Sequence, residues 1–570
     1  MNGEYETMRA PTKSRWPVAV VAICCLSANA LPGAAPLDLL IGGGRIIDGT
    51  GNPWYAADVG IIGDAIVEIG DLSGRRAART IDATGKVVSP GFIDMHTHVD
   101  RGFEQVDTAA ILNYLYQGVT TVRPGSDGGA SHRVSETKAR WEGNGMGLNA
   151  VHMVGFNTVR REVMGYDFLR PASVDEIDQM QSLVRQAMRE GSWGISAGLE
   201  YEGLHLHAST EELIETTRPV AEFAGVYISH MRDEGIRLLE SIREIVRISE
   251  GAGVPVNVTH MKAAGRLQWG LMTEAVELIQ AARNRGVSIT ADQYPWDQSA
   301  PFGYITELVD VPNDMEELAE LRDRGRDRRL SYQERTDARA RYVAALQEAL
   351  RDDSQRELMR VSTYEEREAD WSAVAKWGWQ DFRIKHTTLH PELLEKNLLD
   401  LENDQGKDGF DILVELVLDE PDMLFAGGSM SPDDLRHAMA QPWVMISSDG
   451  GGPLVPTDYS VPSHPRSFAS QAVALRQYVR DEGLLTLVDA IRKMSSLPAQ
   501  FLGMRDRGLI AEGFKADVII FDPESVEDRA TWADAHRYAT GIDYVIVNGG
   551  VSVDAGEFNG ARHGRLLLKQ

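Results

Sequence analysis

Pro90-Gly91-Phe92-Ile93-Asp94-Met95-His96-Thr97-His98 is an apolar run with the character of a buried strand, and it ends in two histidines one residue apart. The same pattern recurs downstream. Residues 119–122 precede Asp127, residues 226–229 lead into His230, residues 254–259 lead into His260 and residues 444–448 lead into Asp449, each a β-branched run followed by a metal-type side chain. A barrel of parallel strands ends all of them on one face, so side chains far apart in sequence converge there. The pattern therefore predicts an α/β barrel carrying the chemistry of a metal-dependent hydrolase.

Composition sets the outer limits. With 570 residues, 43% hydrophobic and 25% charged, the chain can bury one large core and a smaller satellite. A formal charge of -27 argues against nucleic acid as a partner, since phosphate backbones are held by clustered Lys and Arg. The expected partner is a small-molecule substrate.

The first thirty residues differ from the rest. Arg9, Lys13 and Arg15 precede an apolar stretch over residues 16–26, followed by Ala28-Asn29-Ala30, a small-x-small cleavage pattern. This predicts a signal peptide over residues 1–30 and a periplasmic or secreted mature protein. The stretch is short for a membrane span, so no stable membrane insertion is expected after cleavage. Cys24 and Cys25, the two cysteines, fall inside it. The mature chain would then hold no thiol, either for disulfides or for metal.

Beyond the signal, runs such as Leu39-Leu40-Ile41 and Ile61-Ile62, broken by Gly and Asp turns, predict a small β-rich unit over residues 36–88. Alternating strand and helix patterns over residues 89–300 predict the first seven barrel strands, with residues 211–223 as an amphipathic helix between two of them. Over residues 301–380 Glu, Arg, Asp and Ala recur at helical spacing. A structureless loop of that length is rare, so a helical insertion is expected. Residues 381–500 hold the end of the barrel with its eighth strand. Residues 501–570 return to β pattern in Ala516-Asp517-Val518-Ile519-Ile520-Phe521 and Tyr544-Val545-Ile546-Val547-Asn548-Gly549, completing the unit begun at the N-terminus.

Taken together, the opening stretch, Gly118-Val119-Thr120-Thr121, Ser229-His230-Met231-Arg232-Asp233-Glu234, Ser448-Asp449-Gly450, His464-Pro465-Arg466 and Arg507-Gly508-Leu509-Ile510-Ala511-Glu512-Gly513 resemble the N-acyl-D-amino-acid deacylases, or D-aminoacylases, of the amidohydrolase superfamily. The resemblance covers nearly the whole mature chain. It implies a (β/α)8 TIM barrel, a small β-sandwich formed from both chain ends, and an insertion before the last barrel strand. It also implies hydrolysis of N-acyl-D-amino acids to a carboxylate and a free D-amino acid. One position departs from the pattern: the best-known members carry a cysteine after the Gly-Val-Thr-Thr strand, where this chain has Gly125-Ser126-Asp127-Gly128-Gly129.

Two histidines one residue apart leave a strand end on the same side, so His96 and His98 are expected to hold one metal together. His230 and His260 complete the imidazole set, and Asp127 supplies a carboxylate that can bind one ion or bridge two. Zn2+, as one or two ions, is the expected cofactor; an oxygen ligand in place of sulfur also admits manganese or cobalt. Asp449, flanked by Gly450 to Gly452, is expected to act as general base and then general acid, because an amine leaves poorly unless protonated. By resemblance, Lys262, Tyr294 and Arg466 clamp the substrate's α-carboxylate, and Tyr201 hydrogen-bonds the carbonyl oxygen as charge develops. The D assignment rests on the resemblance alone.

Four other readings compete. A relative acting on cyclic amides would need a lysine after the fourth strand, where Ser196-Ala197-Gly198 stands, and a deaminase would need an acid shortly after His260, where Met261-Lys262-Ala263 follows. A dipeptide with a C-terminal D-residue is itself an N-acyl-D-amino acid and stays within reach of the same chemistry. A non-catalytic scaffold should have lost ligands, yet every position named carries a competent side chain.

Overall fold

The computed structural model describes residues 35–165, 167, 170–200, 207–299, 303–312, 315–326, 332–365, 372–427, 430–452, 463–532 and 534–569. The expected signal segment and Tyr201 lie outside the described residues.

Short parallel strands alternate with helices in chain order: Phe92–Asp94, Val119–Val122, Asn149–Val151, Gly194–Gly198, Val226–His230, Val256–Val258, Ile289–Gln293 and Val444–Ile446. Each pairs in parallel with its sequence neighbour, in registers such as Thr121↔Asn149, Gly198↔His230, Val258↔Ala291 and Gln293↔Ile446. Val154–Gly155, just beyond the third strand, carries the pairing across to the fourth. The last strand returns to the first. Gly450–Gly451 pairs in parallel with Thr97–His98, and the Ser448 N–H donates to Asp94 Oδ1 at 3.2 Å.

Every residue of Val119–Val122, Val226–His230 and Ile289–Gln293 is buried. Strands covered on both faces lose the apolar–polar alternation of half-exposed ones, and the polar residues in these strands, such as Thr120, Asp292 and Gln293, are buried with the rest. Close approach of strands also dictates residue type: a Cβ on Gly194 would lie 2.0 Å from the Val226 carbonyl oxygen. The outer layer is helical. Val174–Arg189 starts at a capping box in which Ser173 and Glu176 satisfy each other's backbone N–H groups, and the expected amphipathic helix is Thr210–Ala221, capped by Ser209 with Leu213 and Val220 turned inward.

Both ends of the chain enter one nine-stranded sheet. Its seam is the antiparallel pairing of Val518–Phe521 with Val87–Pro90, packed over Ile41, Val59, Ile61, Val88, Ile520 and Ile546. Asp517, at the edge of this seam, is buried in an ion pair with Arg507 and accepts from Asn149 Nδ2 at 3.2 Å, which ties the sheet to the third parallel strand.

Between the seventh and eighth parallel strands lies a layer with its own hydrophobic core, drawn from residues between Ile305 and Phe425. Glu316–Arg326, Tyr332–Arg351, Asp353–Tyr364 and Ala373–Trp377 supply helices. In addition, Gly303–Tyr304 and Arg383–His386 flank Leu424–Ala426 in an antiparallel sheet of three strands. No helix among the described residues is long and apolar enough to cross a membrane.

Candidate metal centre and active site

Three of the expected site residues leave their strands in an unusual backbone state. Asp127, His260 and Asp449 have φ of 57°, 33° and 49°, a region that non-glycine residues enter at a cost of order 1–3 kcal/mol. For His260 and Asp449 the left-handed turn follows within three residues of the strand's end, and for Asp127 five residues beyond it. His260 is held there by its own N–H, which donates to Asp292 Oδ1 at 3.0 Å, and Asp449 by its N–H, which donates to the His96 carbonyl at 2.9 Å. The second bond places the last strand's acid beside the first strand's histidine. Asp94 anchors this corner from below: it accepts from the N–H groups of His96 and Ser448 and from Gln471 Nε2, and burial pushes its carboxyl up to about 6.

The five expected ligands and Asp449 come together. Asp449 Oδ1 lies 3.1 Å from His98 Nε2 and 3.3 Å from His96 Nε2, though His98 and Asp449 are 351 residues apart in sequence. Asp127 faces the same two rings, with Oδ1 3.6 Å from His96 Nε2 and Oδ2 3.5 Å from His98 Nε2. The His260 ring lies 4.7 Å from that of His96, centroid to centroid and tilted by 44°, and its Nε2 meets His230 Nδ1 at 2.9 Å. Candidate ligand atoms from His96, Asp127 and His260, from His96, His98 and Asp449, and from His230, Glu234 and His260 lie within 4.8 Å of one another in each set.

The chemistry of these atoms fits a divalent ion. Glu200 Oε2 stands 3.0 Å from His230 Nε2, and Glu234 Oε1 stands 2.7 Å from His260 Nδ1. When His230 Nε2 donates to Glu200, the inner nitrogen, His230 Nδ1, turns its lone pair toward His260 Nε2, 2.9 Å away. That is the carboxylate–histidine arrangement by which proteins aim imidazoles at a metal. His96 is fully buried and neither ring nitrogen has a hydrogen-bond partner among the described residues, an unfavourable state for a polar group unless an ion satisfies it. Burial, with the neighbouring His260 and Arg123, keeps the His96 imidazole well below its ordinary pKa and therefore neutral, the form that ligates. Burial opposes charge on His230 too, but Glu234 and Glu200 outweigh it and lift that ring to about 9.

Beside this cluster sits a cationic group. Arg466 Nη1 approaches Asp449 Oδ2 to 2.8 Å, and its guanidinium lies 4.8 Å from the Tyr294 ring centroid; Lys262 Nζ lies 5.7 Å from the same centroid. Arg466 and His96, against the effect of burial, hold the Asp449 carboxyl well below the usual range, so it is ionised. Tyr294 is completely buried, its hydroxyl has no hydrogen-bond partner among the described residues, and burial raises its pKa to about 12. His464 fixes the arginine's backbone: its Nδ1 accepts from the Arg466 main-chain N–H at 3.0 Å, while Nε2 donates to the Gln298 carbonyl at 3.0 Å. Of the four expected substrate contacts, Lys262, Tyr294 and Arg466 thus share one wall, and Tyr201 falls outside the described residues.

Residues 79–553 match the amidohydrolase family. The chain belongs to that family. This amidohydrolase is 31% identical over 565 residues to the D-aminoacylase of Alcaligenes xylosoxydans xylosoxydans, a match that covers 94% of the chain and 98% of the relative. The crystal structure of D-aminoacylase is similar with a TM-score of 0.71 at 31% identity, over 94% of this chain and 100% of that one. N-acyl-D-glutamate deacylase from Bordetella bronchiseptica, solved with zinc and a phosphonate mimic of the tetrahedral intermediate, is similar with a TM-score of 0.70 at 27% identity, over 94% and 100% of the two chains. The resemblance carried by the sequence motifs agrees with these relatives.

Three charged residues of this amidohydrolase that lie against the cluster are not revealed by the sequence: buried Glu234 and Arg123, and partly exposed Glu200. Glu234 closes the Ser229–Glu234 motif and Glu200 follows the fourth parallel strand, but nothing in a loop sequence says which of Arg232, Asp233 and Glu234 turns inward. Arg123 is fully buried at the end of the second parallel strand; its Nε donates to the Met95 carbonyl at 2.6 Å, and it lies in the field of Asp292, Asp127, Asp100 and Asp94. An arginine directly after a β-branched strand is the one signal that points to it.

Proposed function

We propose that this amidohydrolase is a metal-dependent N-acyl-D-amino-acid deacylase, cleaving the amide to a carboxylate and a free D-amino acid. The observation that carries the reading is Asp449, held between two imidazoles and a guanidinium at 3.1, 3.3 and 2.8 Å. His96, His98, Asp127, His230 and His260 would hold zinc, as one or two ions. When bound, the ion lowers the pKa of water to about 7 and polarises the amide carbonyl.

The rest of the work falls to the chain's own groups. Arg466 and Lys262 bind the substrate carboxylate, and the orphan hydroxyl of Tyr294 donates a third hydrogen bond to it. This fixes the α-carbon, so one enantiomer alone directs its nitrogen toward Asp449. Asp449 takes a proton from the attacking water as the C–O bond forms, then delivers it to the amide nitrogen as the C–N bond breaks. Tyr201 remains assigned to the developing oxyanion.

The layout proposed around this chemistry is a closed (β/α)8 barrel that begins at residue 89 and closes with its eighth strand inside the 381–500 stretch, interrupted by an insertion that starts at 301 and runs past the expected boundary at 380, its core extending to Phe425. Residues 36–88 and 501–570 form a β-sandwich from both chain ends, and residues 1–30 direct export to the periplasm or beyond. The deciding experiment is amine release from a panel of N-acetyl-D- and N-acetyl-L-amino acids by zinc-loaded and chelator-treated protein. The proposal predicts turnover of D substrates that chelation abolishes and zinc restores. Absence of turnover across the panel in zinc-loaded protein would overturn it.

A further inference from the structure

Glu234 occupies the loop after Val226–His230, is 5% exposed, and sits where two functions meet. One oxygen, Oε1, lies 2.7 Å from His260 Nδ1; the other, Oε2, lies 2.6 Å from Lys262 Nζ; and Lys262 Nζ stands 2.8 Å from His260 Nδ1. The triangle is closed by backbone as well, because the Ala264 N–H donates to the Glu234 carbonyl at 2.8 Å. His260 is secured at its backbone by Asp292, but that bond leaves the ring free to turn. Lys262 is an unbranched chain with several rotatable bonds, and Glu234 is the carboxylate that holds its ammonium. One buried carboxylate therefore touches both the ring expected to face the ion and the ammonium expected to face the substrate.

We propose that Glu234 is a positioning residue that sets His260 and Lys262 together, so that metal retention and carboxylate recognition depend on the same side chain. The inference rests on the reading of His260 as a metal ligand and of Lys262 as a substrate contact. Partners of this kind, set behind a metal ligand, typically contribute 10–100-fold to metal affinity. Removing the carboxylate charge should therefore weaken zinc binding by about that factor and, separately, raise KM as Lys262 loses its anchor.

The test compares the full-length protein with Glu234→Gln and Lys262→Met, measuring zinc affinity by competition with a chromogenic chelator and KM and kcat at saturating zinc. Glu234→Gln is expected to weaken zinc roughly 10–100-fold and to raise KM, with a smaller effect on kcat; Lys262→Met is expected to raise KM while zinc affinity stays at the parent value. Parent-like zinc affinity or an unchanged KM in Glu234→Gln overturns the proposal, as does equal loss of zinc in Lys262→Met. Should Glu234→Gln fail to fold, Glu234→Asp, which keeps the charge but is one methylene too short to reach both partners, is read by the same two numbers. A parent protein that binds no zinc and turns over no substrate defeats the deacylase reading itself, and this inference with it.

Discussion

Replacing Asp449 with asparagine tests the proton chemistry with little change of shape. The side chain keeps its size, and asparagine enters the left-handed region as readily as aspartate, so the φ of 49° is preserved. What is lost is the ability to carry a proton between water and amine. Positioned acid–base groups contribute roughly 10²–10⁴ in rate, which at 1.36 kcal/mol per tenfold raises the barrier by about 3–5 kcal/mol. A second effect runs through Arg466, whose buried guanidinium loses its counter-charge at 2.8 Å; breaking such a pair costs about 3–5 kcal/mol of stability. The assay is amine release from N-acetyl-D-amino acids at saturating substrate, with zinc per chain and the thermal transition measured on the same sample. We expect kcat lower by roughly 10²–10⁴ in folded, zinc-loaded variant. A kcat within tenfold of the parent at equal zinc content would refute the role.

Other perturbations follow from the same geometry. Arg466→Lys keeps the charge but gives up the guanidinium fork that lies against Asp449 and the Tyr294 ring, and should raise KM by about tenfold or more, in line with 1.5–3 kcal/mol for a charge-assisted hydrogen bond; steady-state kinetics with an unchanged KM would contradict it. His152 is buried, and burial, against a weak opposing effect of Glu190, lowers its imidazole to about 4. The unfolded chain takes up this proton below about pH 6.5, so stability should fall by up to about 3 kcal/mol as pH drops from there to 4, and denaturant midpoints of His152→Phe should lack that share of the slope. Asp517→Ala leaves Arg507 buried without its partner and should destabilise the protein by about 3–5 kcal/mol, read as a lowered urea midpoint, while zinc affinity is unchanged.

Much of the site is legible in the sequence because ligands at strand exits are positioned by backbone topology. Parallel pairing brings the ends of Phe92–Asp94, Val226–His230, Val256–Val258 and Val444–Ile446 to one face, and the identity of the closing residue is then enough. Groups set by loop conformation are not legible in this way. Glu200 and Glu234 reach the imidazoles only through turns whose direction depends on tertiary contacts, such as the Ala264 to Glu234 backbone bond. Arg123 follows a strand, where an arginine ordinarily marks a surface charge, yet its side chain is fully buried and donates to the Met95 carbonyl, one residue before His96. The inserted layer shows its helical spacing clearly, but its small sheet pairs Tyr304 with Leu424, a contact that local periodicity does not encode. Boundaries differ for a related reason. Residues 254–259 read as one strand, and the ladder stops at Val258 because the chain must reverse into the left-handed turn at His260.

Zinc-edge anomalous diffraction from crystals of the active protein tests the central claim most directly. The expected result is a peak between the inner nitrogens of His230 and His260, about 2.0–2.1 Å from each, with an Asp127 oxygen in the same shell and any second ion toward His96, His98 and Asp449. Active, zinc-loaded crystals whose anomalous density lies away from these imidazoles would contradict it.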